Sequence, residues 1–244
     1  MWHDMDDLIV LGEGVPDELK DGRKVICTAC YSAEHGLVRV YPIPPDAPMR
    51  RWDRMSIPLV RNPQDTRGES WKVMGSKGEW NRLGERIHRQ GKLGQPDRIK
   101  LVHKLYNDFG VGCVQDINDR KQSLGIIKPN ILDAWMKDRG ERYDPAIQAT
   151  LNSETLFRTI HNYKLQPCVK YRCSTCRNQN PHEQQIIEWG VYEWMRKHQT
   201  NPRKAIENLY LTDSQWEKYF LVGNMSKYRN SFMVISVFRF KRGS

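Results

Sequence analysis

Arg23-Lys24-Val25-Ile26-Cys27-Thr28-Ala29-Cys30, followed after the His35-Gly36 turn by Leu37-Val38-Arg39-Val40-Tyr41-Pro42-Ile43, is the stretch whose reading sets the fold. The first segment is a short apolar run and reads as a buried strand. The second alternates, with Leu37, Arg39 and Tyr41 on one side and Val38, Val40 and Pro42 on the other, so the two pair as a hairpin. Pro42, Pro44, Pro45 and Pro48 end it. Further out, residues 54–61 read as a third strand, with Pro58 demoting it to an edge or a bulge, and residues 69–74 as a fourth. Several short strands at close spacing predict a small barrel, OB-like or SH3-like.

Beyond residue 78 the apolar period changes. Trp80, Leu83 and Ile87, then Ile99, Leu101, Val102, Leu105 and Tyr106, predict a helical insertion to about residue 109, with Arg82, Arg86, Arg89, Lys92, Arg98, Lys100 and Lys104 on its polar face. Residues 123–129 return to strand character and are expected to close the barrel. The polar stretch 137–150, with Gly140 and Pro145, marks the boundary between a barrel lobe (1–140) and an α/β lobe (141–244), making the chain α+β. In the second lobe, residues 165–173 favour a strand. A helix is expected over 181–198 from Ile187, Val191, Trp194 and Met195, and another over 201–211 behind Pro202. Residues 231–240 are apolar on both faces, as a central strand is.

Chemistry concentrates in Cys168-Val-Lys-Tyr-Arg-Cys173-Ser-Thr-Cys176 and His182. Thiolates and imidazole are the donors zinc selects, and a Cys-x2-Cys pair can place two sulfurs on one ion through a tight turn. The expectation is a structural zinc held by Cys173, Cys176 and His182, with Cys168 or a more distant cysteine as fourth ligand. An iron–sulfur cluster is the rival, because Cys168-x4-Cys173-x2-Cys176 has plant-type ferredoxin spacing and would draw a fourth thiolate from Cys27, Cys30 or Cys113. The plainer reading makes these cysteines small core residues. Cys27-x2-Cys30 lies inside an apolar strand, where residues three apart face opposite ways, so core packing is expected there.

Lys and Arg exceed Asp and Glu by ten, and residues 1–22 hold seven acids against Lys20, leaving about +16 on the remainder. Such a balance favours a polyanionic partner, with solubilising charge as the bland alternative. Basic and aromatic residues interleave at Arg39 and Tyr41, at Arg51 and Trp52, at Trp71 and Lys72, and at Trp80 and Arg82, as in grooves that stack bases and track phosphates. Together with Arg67, Arg86 and Arg89, and with Lys170, Arg172 and Arg177 around the knuckle, these are the candidate nucleic-acid contacts. Lys227, Arg229, Arg239, Lys241 and Arg242 form a second basic set. Asp65, Arg67 and Glu69 share a face if extended. Two carboxylates could hold magnesium for phosphodiester cleavage, but a salt-bridged strand edge explains the trio with fewer parts. No long apolar run and no basic, apolar leader occurs, which gives an expectation of a cytoplasmic protein with reduced cysteines and no membrane partner.

At Lys24-Val-Ile-Cys-Thr-Ala29, Leu37-Val-Arg-Val-Tyr-Pro42, Asp65-x-Arg67-x-Glu69-Ser70, Leu124-Gly-Ile-Ile-Lys-Pro129 and the Cys-x2-Cys then His182-x5-Glu188-Trp189 run, the chain resembles a poorly characterised group of prokaryotic dual-lobe, OB-like proteins. Cys168 falls outside the group pattern. The group keeps company with mobile-element and phage-defence genes, and the resemblance implies a nucleic-acid context. The combined expectation is a nucleic-acid-binding component (DNA or RNA) of a larger complex with protein partners. Two alternatives stand beside it: a metal-dependent nuclease or other nucleic-acid-processing enzyme using Asp65 and Glu69 or an acid near His182, and an adaptor docking an acidic protein.

Overall fold

The computed structural model describes residues 2–140, 160–176, 178–225 and 228–243. It is a mixed α+β structure with few helices, built on a closed five-stranded barrel. β1 (Trp2–Glu13) pairs antiparallel with β3 (Lys24–Ser32) on one side and with β5 (Asp53–Arg61) on the other. β3 pairs antiparallel with β4 (Gly36–Ile43), β4 runs parallel to β6 (Ser70–Val73), and β6 returns antiparallel to β5, closing the circuit β1-β3-β4-β6-β5. β2 (Asp17–Glu18) hangs on β3, and β7 (His88–Lys92) extends the sheet beyond β5.

Alternation explains which side chains fill the barrel. In β5, Met55, Ile57 and Leu59 are fully buried while Arg54 and Arg61 face solvent. They meet Met5, Leu8 and Val10 of β1, Cys30, Val38, Val40, Trp71 and Val73. β1 is the acidic head of the sequence turned into a strand. Its ladders shift between Met5 and Leu8 and again between Val10 and Gly12, bulges that let a 12-residue strand bend around a small barrel. Pro58 does not make β5 an edge: it sits opposite Asp4, and its carbonyl accepts from Met74 N at 2.8 Å.

The outer face of β3 and β4 is buried as well. Ala29, Tyr31 and Leu37 pack against α1 (Gln95–Phe109), through Leu101, Val102 and Leu105, and against the sheet β13-β12-β8, through Leu124, Leu221, Ile235 and Phe238. That sheet joins β8 (Leu124–Ile127), β12 (Trp216–Asn224) and β13 (Phe232–Lys241). The strand at 123–129 therefore does not close the barrel. It pairs with β12, because all four of its residues are buried and need a partner sheet on both faces. β13 is apolar on both sides for a visible reason: Phe232, Val234 and Val237 enter one core, Ile235 and Phe238 the other. A third sheet, β11-β10-β9, contains β9 (Asn130–Asp138), β10 (Leu165–Arg172) and β11 (His182–Gln185).

Three helical expectations are corrected. Residues 78–109 divide into a 3₁₀ segment (Lys77–Arg86), the exposed strand β7 and α1. The helix expected over 181–198 begins only at α3 (Trp189–Lys197), since the chain from His182 pairs with β10 first, and α4 (Lys204–Glu207) is a single turn of the run expected to reach 211. α2 (Val114–Asp119) was not expected. The boundary stretch 137–150 lies mostly outside the described residues. Among the described residues no helix is long and apolar enough to cross a membrane.

Candidate functional site

Two features carry chemistry, a Cys/His group and a basic groove. β10 ends at Arg172, and Cys173-Ser174-Thr175-Cys176 turns back on itself, with Cys176 N donating to Cys173 O at 3.4 Å. The turn lies against the 110–113 segment: Thr175 N donates to Gly112 O at 3.2 Å, and the Ser174 hydroxyl reaches the same carbonyl at 3.3 Å. Gly112 is required there, because a Cβ would lie 2.1 Å from Thr175 Oγ1. Cys113, the residue before α2, is thereby placed beside the knuckle. The donor atoms of Cys113, Cys173 and His182 all lie within 4.8 Å of one another, a group that can hold a metal ion. His182 Nε2 is 3.5 Å from Cys113 Sγ and 3.2 Å from Cys176 Sγ.

Burial governs the protonation of this group. It pushes the Cys173 thiol up to about 12 and the Cys113 thiol upward, and it holds the His182 imidazole below its ordinary value, in the neutral form a metal takes. His182 starts a strand opposite Tyr171, not a helix. Cys168 is outside the group. It sits within β10 opposite Gln185 and Trp135, an odd number of residues before Cys173, so it faces away along a strand. The ferredoxin-like spacing loses its first cysteine, and Cys113, one of the three distant cysteines expected as a fourth thiolate for a cluster, is the one beside the knuckle. Cys30 is buried in the barrel, while Cys27 Sγ accepts from Arg39 Nη1 at 3.0 Å on the other face.

Most of the expected nucleic-acid contacts are committed within the protein. Arg39, 4% exposed, bonds to Cys27 and Ser123; Trp52, 8% exposed, lies against Phe238; Arg67 is buried with Asp65. Arg51 pairs with Glu188 at 2.8 Å and Arg86 with Glu79. Arg82 and Arg89 are exposed but pair with Glu85 and Asp53, and Arg89 stands on β7 rather than on a helix face with Arg82. Lys170 pairs with Glu183, and Arg172 donates to the carbonyls of Asn178 and Gln179. Arg177 and Lys227 lie outside the described residues.

Asp65, Arg67 and Glu69 do not share a strand face. They occupy the loop before β6, where Asp65 accepts from Arg67 Nε at 2.8 Å and from the Ser70 hydroxyl at 2.7 Å. Glu69 turns away to accept the N–H groups of Ser123 and Leu124, capping the start of β8. Each carboxylate is thus taken up by protein donors, Asp65 by Arg67 and Ser70 and Glu69 by two backbone N–H groups.

What the fold does assemble is a groove of about 490 Å³ that holds Tyr41, Lys72 and Trp80, drawn from three separate segments of the basic and aromatic pattern. Its floor is the end of β4 and of β6, and its walls are the β1–β3 connection at 19–23, the β5–β6 loop at 62–67 and the 3₁₀ segment. Arg23 stacks over Trp80 at 4.8 Å and is held by Asp21 at 2.8 Å. With Arg23 matched by Asp21 and Arg67 by Asp65, the other three cations that line the groove, Lys20, Lys72 and Lys77, form no salt bridge with a described residue. Lys20 and Lys77 escaped sequence reasoning because each sits among residues that gave no basic pattern.

A family model described as domain of unknown function (DUF8757) matches residues 113–243, from Cys113 through the knuckle to the end of β13. The chain belongs to this family. Within the DUF8757 match lie all three residues of the metal-competent group. A second model, domain of unknown function (DUF8758), matches residues 4–104, the barrel with most of α1. No curated protein matches the chain.

Proposed function

We propose that this protein binds single-stranded nucleic acid in the groove at the end of the barrel. The observation that carries the reading is where the groove lies. The circuit β1-β3-β4-β6-β5 is OB-like, and in that fold the loops between the first and second and between the fourth and fifth strands flank the oligonucleotide. Here those loops are residues 19–23 and 62–67, the two walls of the groove. This is an analogy of fold, and the chemistry of the lining supports it independently. Three free lysines answer phosphates, and Tyr41 with the Arg23–Trp80 stack offers flat surfaces to bases. A groove of this size suits a short run of single strand. The larger cavity, about 580 Å³ beside His182, suits a polyanion less: it is lined by amides, Asp119 and Glu183, and by no lysine or arginine.

The Cys/His group is read as structural zinc. Its donors are those zinc prefers, and thiols kept in the core fit a closed site. An iron–sulfur cluster is disfavoured because Cys168 stands apart.

Fluorescence anisotropy with labelled single-stranded DNA, single-stranded RNA and duplex, across a range of salt, tests the binding reading. The expected result is single-strand affinity whose logarithm falls with log salt at a slope of about −2, as three phosphate contacts predict. No single-strand affinity, or affinity indifferent to salt, contradicts it.

A further inference from the structure

We infer that Cys113 is the fourth ligand of the metal centre, so that Cys113, Cys173, Cys176 and His182 form one Cys₃His site in which Cys168 takes no part. This rests on the zinc reading above and adds to it a ligand sixty residues away from the knuckle.

Zinc bonded tetrahedrally to sulfur at about 2.3 Å and to nitrogen at about 2.0 Å spaces its donors about 3.5–3.8 Å apart. The observed separations from His182 Nε2 are 3.5 Å to Cys113 Sγ, at the lower end of that spacing, and 3.2 Å to Cys176 Sγ, slightly inside it, and the Cys173 sulfur lies within 4.8 Å of both Cys113 and His182. Cys176 Sγ, beside His182 but outside the trio whose donors all lie within 4.8 Å of one another, would turn toward the other two sulfurs to complete the tetrahedron. The backbone holding Cys113 is already fixed for the purpose. Its N–H donates to Asp116 Oδ2 at 2.8 Å as α2 begins, and the Gly112 carbonyl is gripped by Ser174 and Thr175 of the knuckle. Cys168, by contrast, would have to cross strand β10 to reach the same point.

The location says what the ion would do. α2 is seated on β8, close enough that a Cβ at Gly125 would meet Ile117 Cδ1 at 2.6 Å. Cys173 and Cys176 follow β10, and His182 opens β11. A metal shared by these four residues pins α2 with its β8 layer to the β9–β11 sheet, joining the two sheets of the C-terminal half at one point. A sequence-remote ligand makes that closure long in chain terms, where a cross-link restricts the unfolded state most.

Cobalt(II) substitution of the full chain reads the ligand set directly, because the intensity of the thiolate-to-cobalt absorption band scales with the number of thiolates. The expected result is a three-thiolate, tetrahedral spectrum for the wild type and for Cys168→Ser, falling to two thiolates in Cys113→Ser with at least tenfold weaker metal binding. If Cys113→Ser does not fold, Cys113→His keeps a ligand and should give tetrahedral cobalt with two thiolates. Loss of a thiolate in Cys168→Ser, with Cys113→Ser or Cys113→His still at three, overturns the assignment of Cys113 and leaves the zinc reading intact. Failure of the wild type to take up zinc or cobalt, or purification with iron and sulfide, overturns both.

Discussion

Arg39 donates from Nη2 to the carbonyl oxygen of Ser123 at 3.1 Å and to its hydroxyl at 3.2 Å, joining the outer face of the barrel to the residue that leads into β8. The cation is a cross-brace between the barrel and the second sheet. Arg39→Leu should cost about 1–3 kcal/mol in urea unfolding, since it leaves Ser123 O without this donor, and should not alter the salt dependence of nucleic-acid binding. An unchanged unfolding midpoint with a shallower salt slope would put Arg39 at the ligand after all.

Asp65 gives a second stability prediction. Burial alone would raise its carboxyl, but the Arg67 guanidinium, the Ser70 hydroxyl and the Arg67 N–H outweigh burial and hold it down to about 2. The ionised form therefore supports the fold above about pH 4, and that support is lost as pH falls through 2. Asp65→Asn should remove about 2–3 kcal/mol at neutral pH and flatten the stability profile between pH 4 and 2. With Asp65 taken up by Arg67 and Ser70, and Glu69 by the N–H groups of Ser123 and Leu124, incubation with magnesium or manganese should cleave neither DNA nor RNA. Cleavage abolished by Asp65→Ala with binding preserved would instead identify a nuclease.

Glu13 behaves in the opposite sense. Burial pushes its carboxyl up to about 7 against the pull of Arg50, and its Oε1 has no hydrogen-bond partner among the described residues. The folded chain holds a proton there that the unfolded chain releases near pH 4.5. The protonated carboxyl supports the fold fully below that point, and its contribution fades as pH rises through 7. Glu13→Gln should raise stability by about 2–3 kcal/mol at pH 8 and change little at pH 4.5. Equal melting temperatures for the two proteins at pH 8 would refute the assignment.

Stripping the metal should weaken the fold before it touches binding. A strong chelator should lower the melting temperature by about 10 °C or more, and Cys176→Ser should do the same without chelator, because a structural ion couples to folding. Calorimetry with and without chelator decides it. A chelated protein that melts unchanged would mean that the thiols are ordinary core residues.

Local patterns made much of this legible. The hairpin of β3 and β4, the strands β5, β6 and β10, and the double-faced β13 follow from alternation and burial that a sequence displays directly. β1 was hidden because Asp4, Asp6 and Asp7 mask the apolar set Met5, Leu8 and Val10, whose period is broken by bulges. β7 carries His88, Arg89 and Gln90 exposed, so nothing apolar marked it as a strand. Ile186 and Ile187 extended a helical period backwards over β11. The knuckle was visible as spacing. Cys113 stood only as one of three distant cysteines, because closure across sixty residues leaves no local trace; the Arg67 salt bridge with Asp65 was legible from their spacing, but those that withdraw Arg51 and Arg86 were not.

Ultraviolet cross-linking of the full chain to a single-stranded oligonucleotide, with mass-spectrometric location of the adducts, tests the central claim most directly. Adducts on the peptides carrying Tyr41 and Trp80, lost when Lys20, Lys72 and Lys77 are all changed to Glu, are the predicted result. Adducts confined to the knuckle or the C-terminal strands, or undiminished in the triple variant, would contradict the groove as the binding site.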